Sequence, residues 1–425
     1  MAILRLPTPT SAAALINVRP ESTVVMLDAQ TMWSFDAAGR LHGAFVQGAA
    51  FRRGLTNAIL EKRAGPVAGL SGRRRRFLTP TEVRALEQTA YGAAAEMLAR
   101  VQNLGDAPPQ AVRAEVLAAL RHIAAYDYNR LEQEREIYQR LYKPVTILPP
   151  DQYLALYLQA TEGCAYDACT FCGFYRDRRF RIKPLAEFRD HLRAVRDFFG
   201  PAMSLRRSIF LGDANALMIP QAALLPLLDE VADRFDITPH GLTGAALRAW
   251  KTAHPQAMHG IFAFIDAFTT RRKTVADWRA LADRGLRRAY IGLESGDPGL
   301  LSFLGKPNTP ADAQRLISNL KEAGIAVGII ILVGAGGASY QEAHIAATTR
   351  LLNALPLDAG DLIYLSELVD YPDAPYAAHA AAAGVRPATP HEIEEQSRRL
   401  RAGLRAGRRL DAPTLSIYDI REFIY

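Results

Sequence analysis

Cysteine is nearly absent from this chain. Its 425 residues contain three, Cys164, Cys169 and Cys172, all within nine residues of the stretch TEGCAYDACTFCGFY. Three thiols this close cannot build a disulfide framework. Long apolar runs are also missing: the longest, Ile325 to Val333, is far below the ~20 residues that cross a bilayer. No charged-then-apolar leader opens the chain. A reducing cytoplasm, and no membrane partner, is the expectation.

Charge of one sign is concentrated rather than scarce. The net charge is +7, and the segment Arg52 to Arg76 holds Arg52, Arg53, Lys62, Arg63 and the run Arg73 to Arg76 against Glu61 alone. A four-arginine run is able to hold phosphate or nucleic acid. No aromatic residues interleave it as a base-stacking surface requires, so a solvated linker is the preferred reading.

The chain is long enough for two or three units. Strand patterns run from Thr23 to Val46 around the turn Asp36-Ala37-Ala38-Gly39, and the Arg-rich stretch with Gly65, Pro66, Gly69 and Gly72 reads as a connection. Thr79-Pro80-Thr81-Glu82 opens a helix with apolar spacing through Val83, Leu86, Ala90, Ala94, Met97 and Val101. Pro108-Pro109 interrupts, and a second helix is expected over Ala111 to Leu141. Beyond Pro149-Pro150 short apolar runs alternate with amphipathic helices. Strands are expected at Tyr153–Ala160, Ser208–Leu211, Ile261–Ile265, Ala289–Leu293, Ile325–Val333 and Leu362–Leu365. Helices are expected at Thr274–Asp283, Pro310–Ala323 and Tyr340–Leu355. Such alternation argues for a parallel sheet, open or rolled into a partial barrel, with its chemistry at the carboxyl ends of the strands. A basic helix with Arg398, Arg399, Arg401, Arg405, Arg408 and Arg409, then the tail SIYDIREFIY, ends the sequence. The expected division is 1–78 (β-rich, with a basic linker), 79–147 (helical), 148–385 (barrel) and 386–425 (helix and aromatic tail).

The C-x4-C-x2-C spacing serves zinc or an iron–sulfur cluster. Structural zinc needs four ligands, and His240, His254 and His259 lack zinc-finger spacing. Plant-type 2Fe–2S loops begin with the same spacing but need a fourth cysteine. The favoured reading is one 4Fe–4S cluster on three cysteines with one iron left open; zinc or buried structural thiols are the alternatives.

These residues resemble the radical S-adenosylmethionine (SAM) superfamily, whose usual loop is C-x3-C-x-aromatic-C. Phe171 stands at the aromatic position and Gly173-Phe174-Tyr175 follows; one extra residue separates Cys164 from Cys169. The resemblance continues over about Leu148 to Leu368 and extends to oxygen-independent coproporphyrinogen oxidase-like Fe–S oxidoreductases. It implies an α/β fold, a partial (β/α)6 TIM-like barrel, here with an N-terminal β-hairpin plus helical extension and a C-terminal helical tail. It also implies SAM as second cofactor, held near Phe171 and Tyr175. Gly212 and Asp213 would receive its amino group, and Asp266, Glu294 and Ser295 its polar groups. Lys306 would meet its carboxylate, and Ile330, Leu332 and Gly334 would line the adenine.

Each position also has a plainer reading. Asp213 or Asp266 is able to cap a helix, Glu294 to Pro298 to form a turn, and His344 to pack. Gly334 to Gly337 lacks the GxxxxGK[ST] pattern of a phosphate loop. No residue is assigned as catalytic. With no thiol outside the loop, a second cysteine-held cluster and cysteine-dependent epimerases or methylases fit badly. The expected activity is reductive cleavage of SAM to a 5′-deoxyadenosyl radical that takes hydrogen from a small-molecule or peptide substrate, with a flavodoxin or ferredoxin as electron donor. The alternative is an RNA-modifying enzyme, or a nucleic-acid- or partner-binding Fe–S protein, that uses the Arg52 to Arg76 segment.

Overall fold

The structure is a computed structural model and describes residues 1–6, 13–65, 70, 72–104, 108–371, 374–407 and 410–425. Pro66, Gly69, Arg408 and Arg409 lie outside the described residues.

The N-terminal part is more than a hairpin. Eight antiparallel strands pair in chain order: β1 (Ala2–Leu6), β2 (Ala14–Val18), β3 (Ser22–Asp28), β4 (Thr31–Asp36), β5 (Leu41–Val46), β6 (Ala49–Arg53), β7 (Ile59–Ala64) and β8 (Arg73–Phe77). The expected turn at Asp36 to Gly39 joins β4 to β5. Alternation in β1 and β2 buries Leu4, Leu6, Ile16 and Val18 on one face. That face packs against α1 (Pro80–Gln102) and α2 (Gln110–Ala124) through Trp33, Phe35, Met97 and Leu120. Helix α1 opens with a full capping box between Thr79 and Glu82, as its sequence suggests.

Two expectations are corrected here. The arginine run is not a linker but edge strand β8, in register with β7: Arg76 meets Glu61 at 2.8 Å and Arg75 meets Asp419 at 2.9 Å, so carboxylates opposite the run take up its charge. The second helix breaks at Ala125 to Asp127, because the Asp127 side chain caps a new helix, α3 (Tyr128–Leu141), by accepting from the Arg130 N–H.

The remainder is a parallel sheet with crossing helices. Its strands are β9 (Leu156–Gln159), β12 (Ile209–Gly212), β13 (Ile261–Ile265), β14 (Leu286–Glu294), β15 (Ala326–Val333), β16 (Leu362–Glu367) and β17 (Thr414–Ile417), paired in that order. A short hairpin, β10 (Thr161–Glu162) with β11 (Arg181–Ile182), follows β9. Helices α4 (Leu185–Phe199), α5 (Gln221–Ala232), α7 (Val275–Asp283), α9 (Pro310–Glu322) and α10 (Gly337–Ala354) cover the strands, with α6 (Gly244–Ala253), α8 (Pro298–Phe303), α11 (Tyr376–Ala382) and α12 (Pro390–Gly403) between or after them. Near-continuous burial of β9, β12 and β13 is what a sheet covered on both faces requires.

The tail is not only helical. After α12 it adds β17 as a seventh strand beside β16. Tyr425 then reaches the other edge: its hydroxyl accepts from the Tyr157 N–H of β9 at 2.9 Å and donates to the Ala155 carbonyl at 3.0 Å. Among the described residues no helix is long and apolar enough to cross a membrane.

Candidate active site

The cysteine loop leaves β10 at Gly163, whose φ is +76°. A Cβ there would press on the Arg179 carbonyl group at 3.1 Å, so the turn calls for glycine. The loop is tied down on both sides. The Thr170 N–H donates to the Leu304 carbonyl at 3.0 Å and the Tyr166 hydroxyl to the Gly305 carbonyl at 2.7 Å. The Arg176 guanidinium donates to the Cys172 carbonyl at 2.9 Å and the Cys169 carbonyl at 3.1 Å. All three half-buried thiols thereby line one cavity of about 1080 Å³, counting its mouth, at the carboxyl ends of the parallel strands.

Burial pushes the Cys169 thiol up to about 11 and the Cys172 thiol to about 12. These two thiols therefore stay protonated at neutral pH, and a metal must release their protons on binding. Among the described residues no three His, Cys, Asp or Glu side chains converge as a single ion requires. A 4Fe–4S cluster asks each thiol for a different iron. The donor set, three thiols on one loop, fits the cluster.

Opposite the loop, a bulge between Gly292 and Glu294 ends the regular pairing of β14 with β15. Glu294 has φ +62°, a strained conformation for a residue with a side chain. Its Oε1 accepts from Lys306 Nζ at 2.9 Å, and Lys306 also donates to the Gly292 carbonyl. A Cβ on Gly292 would collide with the Glu294 carboxylate, so glycine leaves room for the pair. Burial pulls the Lys306 ammonium down, but Glu294, Cys169 and Asp266 outweigh it and leave it raised. Both partners of this pair are less than a tenth exposed.

At the ends of β12 and β13, Asn215 donates to the Asp266 carboxylate and to the Thr269 hydroxyl at 2.7 Å. Asp266 also accepts from the N–H groups of Phe268 at 2.9 Å and Thr269 at 2.6 Å, the local turn that its sequence allows. Asn215 lines the cavity, and among the described residues its buried Oδ1 has no partner.

Ten of the fourteen expected site residues line this cavity: the three cysteines, Phe171, Tyr175, Asp266, Glu294, Lys306, Ile330 and Leu332. Four lie behind its wall. Asp213 is fully buried, its oxygens taken by the Tyr157 hydroxyl at 2.6 Å, Gln159 Nε2 at 3.0 Å and the Gly163 N–H at 2.9 Å, with Arg178 at 3.4 Å. Gly212 is small because a Cβ would collide with the Tyr157 ring. The Ser295 hydroxyl contacts His344 Nδ1 at 2.8 Å and accepts from the Asp297 N–H at 2.9 Å. Gly334, at φ +87°, donates its N–H to Gln396 Oε1 at 2.6 Å. His344 packs as expected, fully buried and pushed down to about 4 by that burial.

Sequence reading missed Asn215 as a contact and the far wall, formed by Phe174, Leu368, Tyr371, Tyr418 and Ile420. The aromatic tail was the signal for Tyr418 and Ile420, but nothing local says that it folds over a cavity.

Residues 158–348 match the family model described as the Radical SAM superfamily. That part of the chain matches the radical SAM domain, and the three cysteines lie within it and fit its cluster motif. No curated protein matches the chain. Similar solved structures include the radical SAM methyltransferase TsrM from Kitasatospora setae with cobalamin and a [4Fe-4S] cluster bound, 20% identical over 58% of this chain and 42% of that one, TM-score 0.38. Coproporphyrinogen III oxidase (HemN) from Escherichia coli is 14% identical over 63% of this chain and 55% of that one, TM-score 0.40. Streptococcus suis SuiB is 13% identical over 88% and 71%, TM-score 0.40. The chain thus spans less than half the length of TsrM.

Proposed function

We propose that this radical SAM chain holds one 4Fe–4S cluster on Cys164, Cys169 and Cys172 and cleaves SAM beside it to methionine and a 5′-deoxyadenosyl radical, which takes hydrogen from a small-molecule or peptide substrate. The observation that carries the reading is the shared cavity: three thiols on one wall, and a charged pair, Glu294 with Lys306, on another. When bound, a cluster with one thiol-free iron supplies the electron and an open position for SAM.

The chain's own residues then bind and orient. Lys306 has one ammonium hydrogen left after Gly292 and Glu294, suited to the SAM carboxylate. The unpartnered Asn215 Oδ1 and the second oxygen of Glu294 suit ammonium or ribose hydroxyl donors. Ile330 and Leu332 offer an apolar surface to the adenine. Asp213, Gly212, Ser295 and Gly334 act from behind as positioning residues. The far wall of Leu368, Tyr371, Tyr418 and Ile420 excludes water and suits a substrate with an apolar or aromatic face. A flavodoxin or ferredoxin in a reducing cytoplasm completes the reading.

Reduction of the anaerobically iron-loaded protein with SAM present is expected to give 5′-deoxyadenosine and methionine. Stoichiometric zinc with no cleavage of SAM would reject the proposal.

A further inference from the structure

A second cavity, about 1190 Å³ counting its mouth, lies at the opposite end of the parallel sheet. Residues preceding β9 and β12 form one side, and β4 to β6 with the β4–β5 turn form the other. Its acids are already committed. Asp36 accepts from the N–H groups of Ala38 at 2.9 Å and of Gly39 and Arg40 at 3.0 Å. Asp151 accepts from the hydroxyls of Tyr290 at 2.5 Å and Tyr364 at 2.7 Å and from Arg288 at 3.0 Å. Two of its cations are committed as well, Arg40 to Glu134 at 2.5 Å and Arg53 to Glu87 at 3.3 Å.

Arg206 and Arg52 differ. Among the described residues neither has a carboxylate partner; Arg206 donates only to the Ala155 carbonyl at 3.3 Å and Arg52 to the Tyr153 carbonyl at 2.9 Å. Arg206 is only 9% exposed, and its Nε has no acceptor. Across the cavity on β5, His42 Nε2 is buried and, among the described residues, unpartnered too. Rings fix the two guanidinium groups: Arg206 lies 4.7 Å from the Phe199 centroid and 5.3 Å from that of Tyr425, and Arg52 4.6 Å from Tyr153. Buried cations without counter-charge are costly, and an anion that accepts from them removes the cost. Burial together with neighbouring Arg206 pulls the Arg52 guanidinium down to about 10 and the His42 imidazole down to about 4.

We propose that this cavity binds a small molecule through a carboxylate or phosphate group, with Arg206, Arg52 and His42 as donors and Phe51, Leu154 and Leu205 against its apolar part. The site is separate from the cysteine cavity, and its test does not depend on radical chemistry.

The test is calorimetric titration of the full-length, iron-loaded protein with inorganic phosphate in one arm and succinate in another, against sodium chloride at matched ionic strength. The expected result is saturable one-site binding in at least one arm, which also identifies the anion class, weakened about tenfold or more in Arg206→Gln and in Arg52→Gln by loss of a charge-assisted donor. Arg52 is only half-buried, so its variant keeps the test decisive if Arg206→Gln does not fold. No binding beyond chloride in either arm, or unchanged affinity in a folded variant, overturns the proposal.

Discussion

Gly163 donates its backbone N–H to Oδ2 of Asp213 at 2.9 Å, one residue before the first cysteine. The carboxylate that the sequence resemblance sets at the SAM amino group is fully buried and anchors the loop that would hold the cluster. Burial pushes the Asp213 carboxyl up, while Tyr157, Gln159, Arg178 and Gly163 oppose that rise.

Asp213→Asn puts an amide where donors already point and takes the buried carboxylate from Arg178, which keeps Asp177 at 3.6 Å and the Pro144 carbonyl at 2.8 Å. Breaking such a buried arrangement costs about 3 kcal/mol. Denaturant unfolding of the variant should show that loss, and iron content after reconstitution should fall well below wild type. Wild-type stability with full iron loading would remove Asp213 from this role.

Arg176 offers the contrast, because it is exposed and, among the described residues, hydrogen-bonds the carbonyls of Cys169 and Cys172. Arg176→Ala should change global stability by no more than about 0.5 kcal/mol, as surface substitutions do. Release of iron to a chelator should nevertheless be several-fold faster than in wild type.

Lys306 and Glu294 should be coupled. Lys306→Met leaves a buried carboxylate alone, at a cost of about 3–5 kcal/mol. The double variant Lys306→Met with Glu294→Gln should lose less than the sum of the single changes. Both single variants should bind SAM at least about tenfold more weakly by equilibrium dialysis.

His191 sets an acid limit. Its Nε2 accepts from the Gln159 N–H at 3.0 Å and so must stay unprotonated, and burial, with Lys183 nearby, pulls the imidazole down to about 3. The unfolded chain protonates near the ordinary histidine value of ~6.5. This contribution is fully present above that pH and is lost as pH falls from 6.5 toward 3, by up to about 1.4 kcal/mol per pH unit. Between pH 6.5 and pH 5 the wild type should lose about 2 kcal/mol more than His191→Gln in denaturant unfolding.

Most strands of the parallel sheet were legible because they are apolar runs such as Ile325 to Val333, and the cysteine loop because its spacing is chemistry in itself. What escaped was set by distant partners. The run Arg73 to Arg76 has no apolar alternation, and it becomes a strand through pairing with β7 and through Glu61 and Asp419 across from it. Strand β17 forms beside β16, and Tyr425 reaches back to Tyr157, two contacts between remote segments that no local pattern encodes. Asp213 and Ser295 lie behind the cavity wall, which sequence alone does not show, because a polar residue beside a glycine at a strand end looks the same in sequence facing a cavity or facing the core.

The central claim is that the three thiols carry a cluster whose open iron takes SAM. Electron paramagnetic resonance of the reduced, anaerobically iron-loaded protein, with and without SAM, tests it most directly. The expected result is ~4 irons per chain, a 4Fe–4S signal that shifts when SAM is added, and loss of both in Cys172→Ala. A signal unchanged by SAM, or the absence of any cluster signal, would contradict it.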